Sequence, residues 1–310
     1  MIKKIFKIDI QINKYRILSE MTGFFFEKNM KIVAIQGVKG AYHEIAARKY
    51  FEDQEIEVFP CKHFRDVTNE VKKDPNLIGI MAIENTIAGS LLQNNELIRE
   101  SGLRVIGEQK IRISHSLAVL PGETLETVKE INSHPIALMQ CRNFLDTLPH
   151  VKVVESEDTA SSAKRIAEEK LHNHAAICSR YAAEIYGLNV LEEGIETNKR
   201  NFTRFLLVAN SWLADELIEE PEISKSSLVF TLPHTEGSLS KVLTIFSFYD
   251  LNLTKIQSLP ILGREWEYLF YVDLTFSNVL KYKQGLDAVR PLTKEFKILG
   301  EYKENNNTNV

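Results

Sequence analysis

Leu77–Asn85 reads "LIGIMAIEN". Its first seven residues carry no charge and no polar side chain, and then Glu84 and Asn85 follow at once. A strand with one wet face alternates apolar and polar residues. A continuous apolar run is instead that of a strand buried on both faces, under helices. The flanks agree. "KIVAIQG" (31–37) and "IEVFP" (56–60) read as strands, while "AYHEIAARKYF" (41–51), "HFRDVTNEVKK" (63–73) and "IAGSLLQNNELIRES" (87–101) read as helices. This alternation predicts a mostly parallel sheet with helices on both sides.

The texture changes at Leu103. "LRVIGEQKIRISHSLAVLP" (103–121) reads as two strand segments with no helix between them. A second α/β unit follows, with strands in 128–134, 151–156 and 174–179 and helices at "PIALMQCRNFLDTL" (135–148), "TASSAKRIAEEK" (159–170) and "RYAAEIYG" (180–187). The run "NKRNFTRFLLVA" (198–209) starts polar and ends as a buried central strand, which places Thr203 and Arg204 at its mouth. Two α/β lobes joined by long strands predict a hinged body with a cleft, and ligands collect at the carboxyl ends of such strands. Beyond the polar linker, strands and helices alternate as β-α-β-β-α-β, a ferredoxin-like module, with Pro291 kinking or shortening its second helix. The expected boundaries are 30–210 for the two-lobed domain, 211–225 for the linker, 226–304 for the last module and 305–310 for a disordered tail. Residues 1–29 read either as an extension ahead of a natural-looking start at Met30 or as a packed strand and helix; they make a poor signal peptide.

The bulk numbers exclude several classes. Net charge is −4, from 38 basic and 42 acidic residues, so no nucleic-acid partner is expected. No apolar run reaches the ~18 residues of a membrane helix. Three scattered cysteines, Cys61, Cys141 and Cys178, give neither a disulfide framework nor a zinc set, and a reducing cytoplasm is the simplest setting. No metal or cofactor is expected; His172 and His174 lie in a charged loop.

Polar residues crowd the strand-to-helix junctions, where helix N-termini expose unpaired N–H groups. In "QGVKGAYHE" (36–44), Gly37 and Gly40 allow tight turns, but a dinucleotide loop needs a third glycine. "IENTIAGSLL" (83–92) offers Glu84, Asn85 and Thr86. "NSHPIALMQC" (132–141) offers Ser133 as a helix cap, His134 and Gln140. "EDTASSAK" (157–164) sets Asp158, Thr159, Ser161 and Ser162 at one helix start, more hydroxyls than a cap requires. Each of these also reads as an ordinary turn or cap. Pooled, they make a cleft of hydroxyls, amides and one arginine, which suits a small dicarboxylate.

Taken in order over 32–276, the segments "GVKGAYHEIAA", "IMAIENTIAGS", "SHPIALMQC", "DTASSA", "AAICSRYAAEIYGLNVLEEGIE", "NFTRF", "SLVF", "EGSLSKVL", "NLTKIQS" and "WEYLFYVDL" resemble the prephenate dehydratase family. The resemblance implies a catalytic domain like a type II periplasmic binding protein, followed by an ACT regulatory domain. It implies a carbon–oxygen lyase that turns prephenate into phenylpyruvate in L-phenylalanine biosynthesis. Thr203 is then the catalytic donor to the departing hydroxyl, or positions it, and Arg204 anchors a substrate carboxylate unless it turns away into a structural ion pair. Asn85, Ser133 and Gln140 line the substrate site, with Thr159, Ser161, Tyr42 and Phe205 as further members. The first motif departs from the family's Gly-Thr-Phe, because Ala41 and Tyr42 follow Gly40.

By the same resemblance, phenylalanine is the effector, bound between paired ACT domains of a homodimer or homotetramer. Gly237, Ser238 and Leu239 start one helix of that site, and Gln257 and Ser258 lie on its strand. Gln257 and Leu259 stand where the family has glutamate and arginine, which weakens the expected binding. The alternatives are arogenate dehydratase and a non-catalytic amino-acid sensor.

Overall fold

A computed structural model describes residues 30–52, 54–218 and 222–305. The expected N-terminal extension and residues 306–310 lie outside the described residues. The chain opens with β1 (Lys31–Gln36), α1 (Tyr42–Tyr50), β2 (Ile56–Cys61), α2 (Phe64–Lys73), β3 (Ile78–Asn85), β4 (Gly89–Ser90), α3 (Leu92–Ser101) and β5 (Arg104–Arg112). It crosses into a second lobe of β6 (Ser116–Val119), β7 (Glu130–Ser133), α4 (Pro135–Gln140), α5 (Arg142–Leu145), β8 (Lys152–Glu155), α6 (Thr159–Glu169), β9 (His174–Cys178), α7 (Arg180–Ile185) and β10 (Asn189–Glu193). It returns through β11 (Phe202–Ala209) and α8 (Ser211–Leu217). The last unit is β12 (Lys225–Thr231), α9 (Ser238–Phe248), β13 (Asn252–Pro260), β14 (Tyr268–Thr275), α10 (Val279–Val289) and β15 (Glu295–Tyr302).

The first sheet runs β2-β1-β3-β11-β5, and β3 is buried from Ile78 to Ile83, as its apolar run requires. The expectation of a mostly parallel sheet holds for β2, β1 and β3 only. β11 returns antiparallel to both β3 and β5, because the chain must come back from the second lobe beside the strand on which it left. The second sheet runs β10-β6-β9-β7-β8, and β10 was not legible in the sequence. The third runs β13-β14-β12-β15, the strand order of a ferredoxin-like unit.

Three local differences have visible causes. The helix expected from Ile87 starts at Leu92, since Asn85 Oδ1 accepts from the N–H groups of Ile87 and Ala88 at 2.9 and 2.8 Å. That bonding makes a turn that competes with helix. The helix expected over 135–148 divides at Cys141, whose backbone sits at φ −99, ψ 15. The linker 211–225 contains α8, capped by the Asn210 side chain accepting from Leu213 N–H at 3.0 Å. Asn305, placed in the expected disordered tail, donates to Gln109 Oε1 at 2.7 Å.

The ferredoxin-like unit packs its open sheet face on the first lobe. Val229, Leu269, Tyr271, Leu299 and Tyr302 share a core with Val105, Leu206 and Val208. Contact is close enough that a Cβ on Gly300 would lie 2.1 Å from the Val105 carbonyl oxygen, so only glycine fits there.

Candidate active site

Two strand ends and a crossing point build the site. β5 leads into the second lobe through 113–115, and the chain returns through 194–201. The two segments are paired: Ile113 N–H donates to Asn201 O at 2.8 Å and Ile195 N–H to His115 O at 3.0 Å. The lobes also meet at the first loop. Ser179 Oγ donates to Gly40 O at 3.0 Å and Tyr186 OH to Lys39 O at 2.7 Å. Gly40 has φ +89, and a Cβ there would lie 2.9 Å from Ala182 Cα.

Asn85, at the end of β3, is the centre. Its Nδ2 donates to Thr203 Oγ1 at 2.9 Å and to Asn201 Oδ1 at 2.8 Å. Asn201 Nδ2 donates to Gln140 Oε1 at 2.8 Å, and Gln140 Nε2 lies 3.4 Å from Asn85 Oδ1. His115 Nε2 lies 3.0 Å from the same Gln140 oxygen, and Tyr42 OH lies 3.0 Å from His115 Nδ1 and 2.6 Å from Ser114 O, with one proton that either acceptor can take. Six side chains from α1, β3, α4, β11 and the crossing segments thus form one neutral network. Thr203 Oγ1 is an acceptor toward Asn85, so its own proton is left for a ligand.

The electrostatics match a site of neutral donors. Burial lowers the His115 imidazole below its ordinary range, against the opposing pull of Gln140 and Glu196. Burial holds the Tyr42 phenol well above its usual value, with Cys178, Cys141 and Glu196 adding to it. Burial also pushes the Cys141 and Cys178 thiols up to about 12, which removes them as thiolate nucleophiles at neutral pH.

Of the residues read from the sequence, Asn85, Gln140, Thr203 and Tyr42 come together. Others do not join them. Ser133 is fully buried and donates to Ile177 O at 2.6 Å; the cap of α4 is His134, whose Nδ1 accepts from Ile136 N–H at 3.2 Å. Ser161 Oγ donates to Asp158 O at 3.0 Å, and Ser162 is likewise bonded there, so the two serine hydroxyls of "DTASSA" are satisfied within their own turn. Thr159 opens α6, half-buried. The Phe205 ring is in the core, edge-on to His43 at 5.0 Å.

Arg204 corrects the expectation of a carboxylate anchor in the cleft. Successive side chains of a strand point to opposite faces. Thr203 faces Asn85, and Arg204 faces the C-terminal domain. Its Nε donates to Glu108 Oε2 at 2.6 Å, Nη1 to Asp273, and Nη2 to Tyr302 OH at 3.1 Å. Lys225 Nζ completes the set at 2.9 Å from Glu108 Oε1. Burial opposes the Arg204 charge, but Asp273, Tyr302 and Glu108 outweigh it and hold the guanidinium well above its usual value. Glu108 and Asp273 are both held low by Arg204 against their burial.

The expected effector residues lie in the ferredoxin-like unit. Gly237, at φ +73, precedes α9; Ser238 Oγ is 2.8 Å from Thr235 Oγ1; and Leu239 is half-buried on that helix. Gln257 and Ser258 lie on the edge strand β13, opposite Tyr271 and Phe270. His115 and Asn201 were missed as site members. Asn201 begins "NFTRF" and was the more legible of the two.

These features define a class: a two-lobed α/β domain of periplasmic-binding-protein type, with an inner cluster of neutral donors and a ferredoxin-like domain packed against it. A family model described as prephenate dehydratase matches residues 33–212. The arogenate dehydratase/prephenate dehydratase 2, chloroplastic, of Arabidopsis thaliana is 34% identical, over 97% of this chain and 80% of its own. The chain belongs to the prephenate dehydratase family, and its chemistry is that of a lyase-type dehydratase. Among solved structures, the prephenate dehydratase in complex with L-Phe from Arthrobacter aurescens is 28% identical, with a TM-score of 0.76 over 88% of this chain and 89% of that one. A structure described as GqqA, a novel type of quorum quenching acylases, is 27% identical, with a TM-score of 0.79 over 89% of this chain and 99% of that one. Among the described residues no helix is long and apolar enough to cross a membrane.

Proposed function

We propose that the chain converts prephenate to phenylpyruvate, CO2 and water, as a step toward L-phenylalanine. The carrying observation is the Asn85–Thr203 contact, which turns the Thr203 hydroxyl into a directed donor. In the reaction the bond to the ring carboxylate breaks, and its electron pair enters the ring. The bond to the ring hydroxyl then breaks, and a proton makes the leaving hydroxide into water. Aromatisation drives the sequence, and hydroxide is the poor leaving group. A fixed donor in a dry cleft stabilises charge as it develops on that oxygen. Thr203 supplies this hydrogen bond, and the Gln140 amide nitrogen orients a carboxylate.

Arogenate is the second reading, favoured by the name of the Arabidopsis relative. It carries an amino group where prephenate has the keto oxygen, and its product is phenylalanine itself. Acylase chemistry has less support from this site. A hydroxyl nucleophile needs an adjacent base, and the bond recorded at Thr203 Oγ1 comes from an amide donor. Phenylalanine is the proposed effector, bound by Gly237, Ser238, Leu239, Gln257 and Ser258 between paired C-terminal ACT domains in a homodimer or homotetramer. Phe248 on α9, 79% exposed, is available to such pairing. The proposed compartment is the cytoplasm.

The test is turnover of each substrate. Prephenate should give the alkaline absorbance of phenylpyruvate, and arogenate should be used more slowly, read as phenylalanine by chromatography. Faster use of arogenate would reverse the substrate assignment, and turnover of neither would remove the dehydratase reading.

A further inference from the structure

The amides of the site have only one consistent orientation, and it fixes the state of a histidine. Backbone N–H groups can only donate, so the atom of Asn85 that meets Ile87 and Ala88 N–H at 2.9 and 2.8 Å is its oxygen. Its nitrogen therefore donates, and the atom it meets on Asn201 at 2.8 Å is an oxygen. Asn201 then offers nitrogen to Gln140, whose facing atom is an oxygen too. An amide oxygen only accepts. His115 Nε2, 3.0 Å from that oxygen, must carry a proton.

The same histidine sits at the hinge. Its N–H donates to Glu196 Oε2 at 2.9 Å, and its carbonyl accepts from Ile195 at 3.0 Å, so the crossing strands hold its backbone. On one side of the ring is Tyr42 from the first lobe, and on the other is Gln140 from the second. Only 2% of His115 is exposed, so it does not itself meet substrate. What it meets is the oxygen of Gln140. Without that bond Gln140 Oε1 would keep only the donor from Asn201 Nδ2, and the amide would be held less firmly with its nitrogen toward the cleft.

We propose that His115 is a positioning residue for the dehydratase reaction. As the Nε2–H tautomer it is the second donor to Gln140 Oε1, beside Asn201 Nδ2, and so holds the Gln140 amide with its nitrogen toward the substrate. The inference rests on the dehydratase reading above and adds a residue to it. A histidine that merely fills the core would show no preference between substitutes of similar burial.

The test uses two variants of the full chain. A glutamine reaches as far as the imidazole Nε2, and an asparagine only as far as Nδ1. His115→Gln should keep kcat within about tenfold of the parent, and His115→Asn should lower it by about 10²-fold, the scale for a small misplacement of reacting groups. KM should change by less than about threefold in both, since ground-state binding is not what is removed. Equal kcat values for the two variants, or losses that only follow melting temperature, would overturn the role. Nitrogen NMR of the parent protein, labelled in histidine at about pH 7.5, gives a readout that needs neither variant. His115 should show a protonated Nε2 and a bare Nδ1; the opposite tautomer would overturn the assignment. If the parent turned over neither prephenate nor arogenate, the functional reading and the catalytic role would fall together. The tautomer, measured on the same sample, would still decide the geometry.

Discussion

Arg204 Nε lies 2.6 Å from Glu108 Oε2, and both side chains are sealed between the catalytic lobe and the C-terminal domain. With Lys225 and Asp273 they make a buried set of two cations and two anions. Thr203 and Arg204 therefore face opposite ways from one strand: the first meets Asn85, and the second meets Glu108, Asp273 and Tyr302 at the C-terminal domain.

Arg204→Met leaves Glu108 with Lys225 alone and takes from Asp273 its ion-pair partner in a dry interface. The variant should lose about 3–5 kcal/mol of stability, the usual loss when one partner of a buried ion pair is removed. Urea unfolding checks this. Arg204→Lys keeps the charge but not the fork, so it should lower the unfolding midpoint while leaving KM for the substrate unchanged. A raised KM at unchanged stability would return Arg204 to the cleft.

Much of this arrangement was legible in the sequence, and the part that was not has a physical reason. The apolar run of β3 and the strand-helix alternation give the lobes. The crossing strands follow from 103–121, which has no helix. Asn85 and Thr203 stand out because they interrupt apolar strands at their ends. Which way Arg204 faces does not stand out. Alternation says that two neighbours face apart, but not which face meets a cleft and which meets another domain. His115 was invisible for a different reason. Its partners lie 73 and 25 residues away along the chain, and a lone histidine between two strands carries no periodic signal. The serine hydroxyls of "DTASSA" stand out in the sequence, but their acceptors are in their own turn.

His43 sets an acid limit on stability. It is buried against Phe64 and Phe205, its Nε2 has no partner among the described residues, and burial lowers its imidazole to about 4. In the unfolded chain it takes up a proton at ~6.5. The folded state binds fewer protons between these values, so stability is full above ~6.5 and falls as pH drops toward about 4. The loss should approach about 3 kcal/mol. His43→Leu should flatten the unfolding free energy across that window; an unchanged slope would mean the ring is not the source.

Gln257 and Leu259 bear on the proposed effector site. A neutral amide meets an ammonium less strongly than a carboxylate does. Phenylalanine should inhibit the enzyme weakly. The double variant Gln257→Glu, Leu259→Arg should bind it about tenfold more tightly, a gain of ~1.4 kcal/mol within the range for a charge-assisted bond. Calorimetric titration measures both. Absence of heat at about 1 mM in parent and variant alike would leave the C-terminal domain as a structural element only.

The most direct test is kcat for Thr203→Val. Valine has nearly the same shape and no hydroxyl, and the position is 8% exposed, so the fold should survive the change. Asn85 would lose one acceptor and keep its bonds to Asn201 Oδ1 and Phe202 O. With prephenate, and with melting temperature close to that of the parent, kcat should fall by about 10²-fold or more while KM moves little, the pattern of a donor that acts on the departing oxygen. A folded Thr203→Val enzyme that turns over at close to the parent rate would contradict the role given to Thr203.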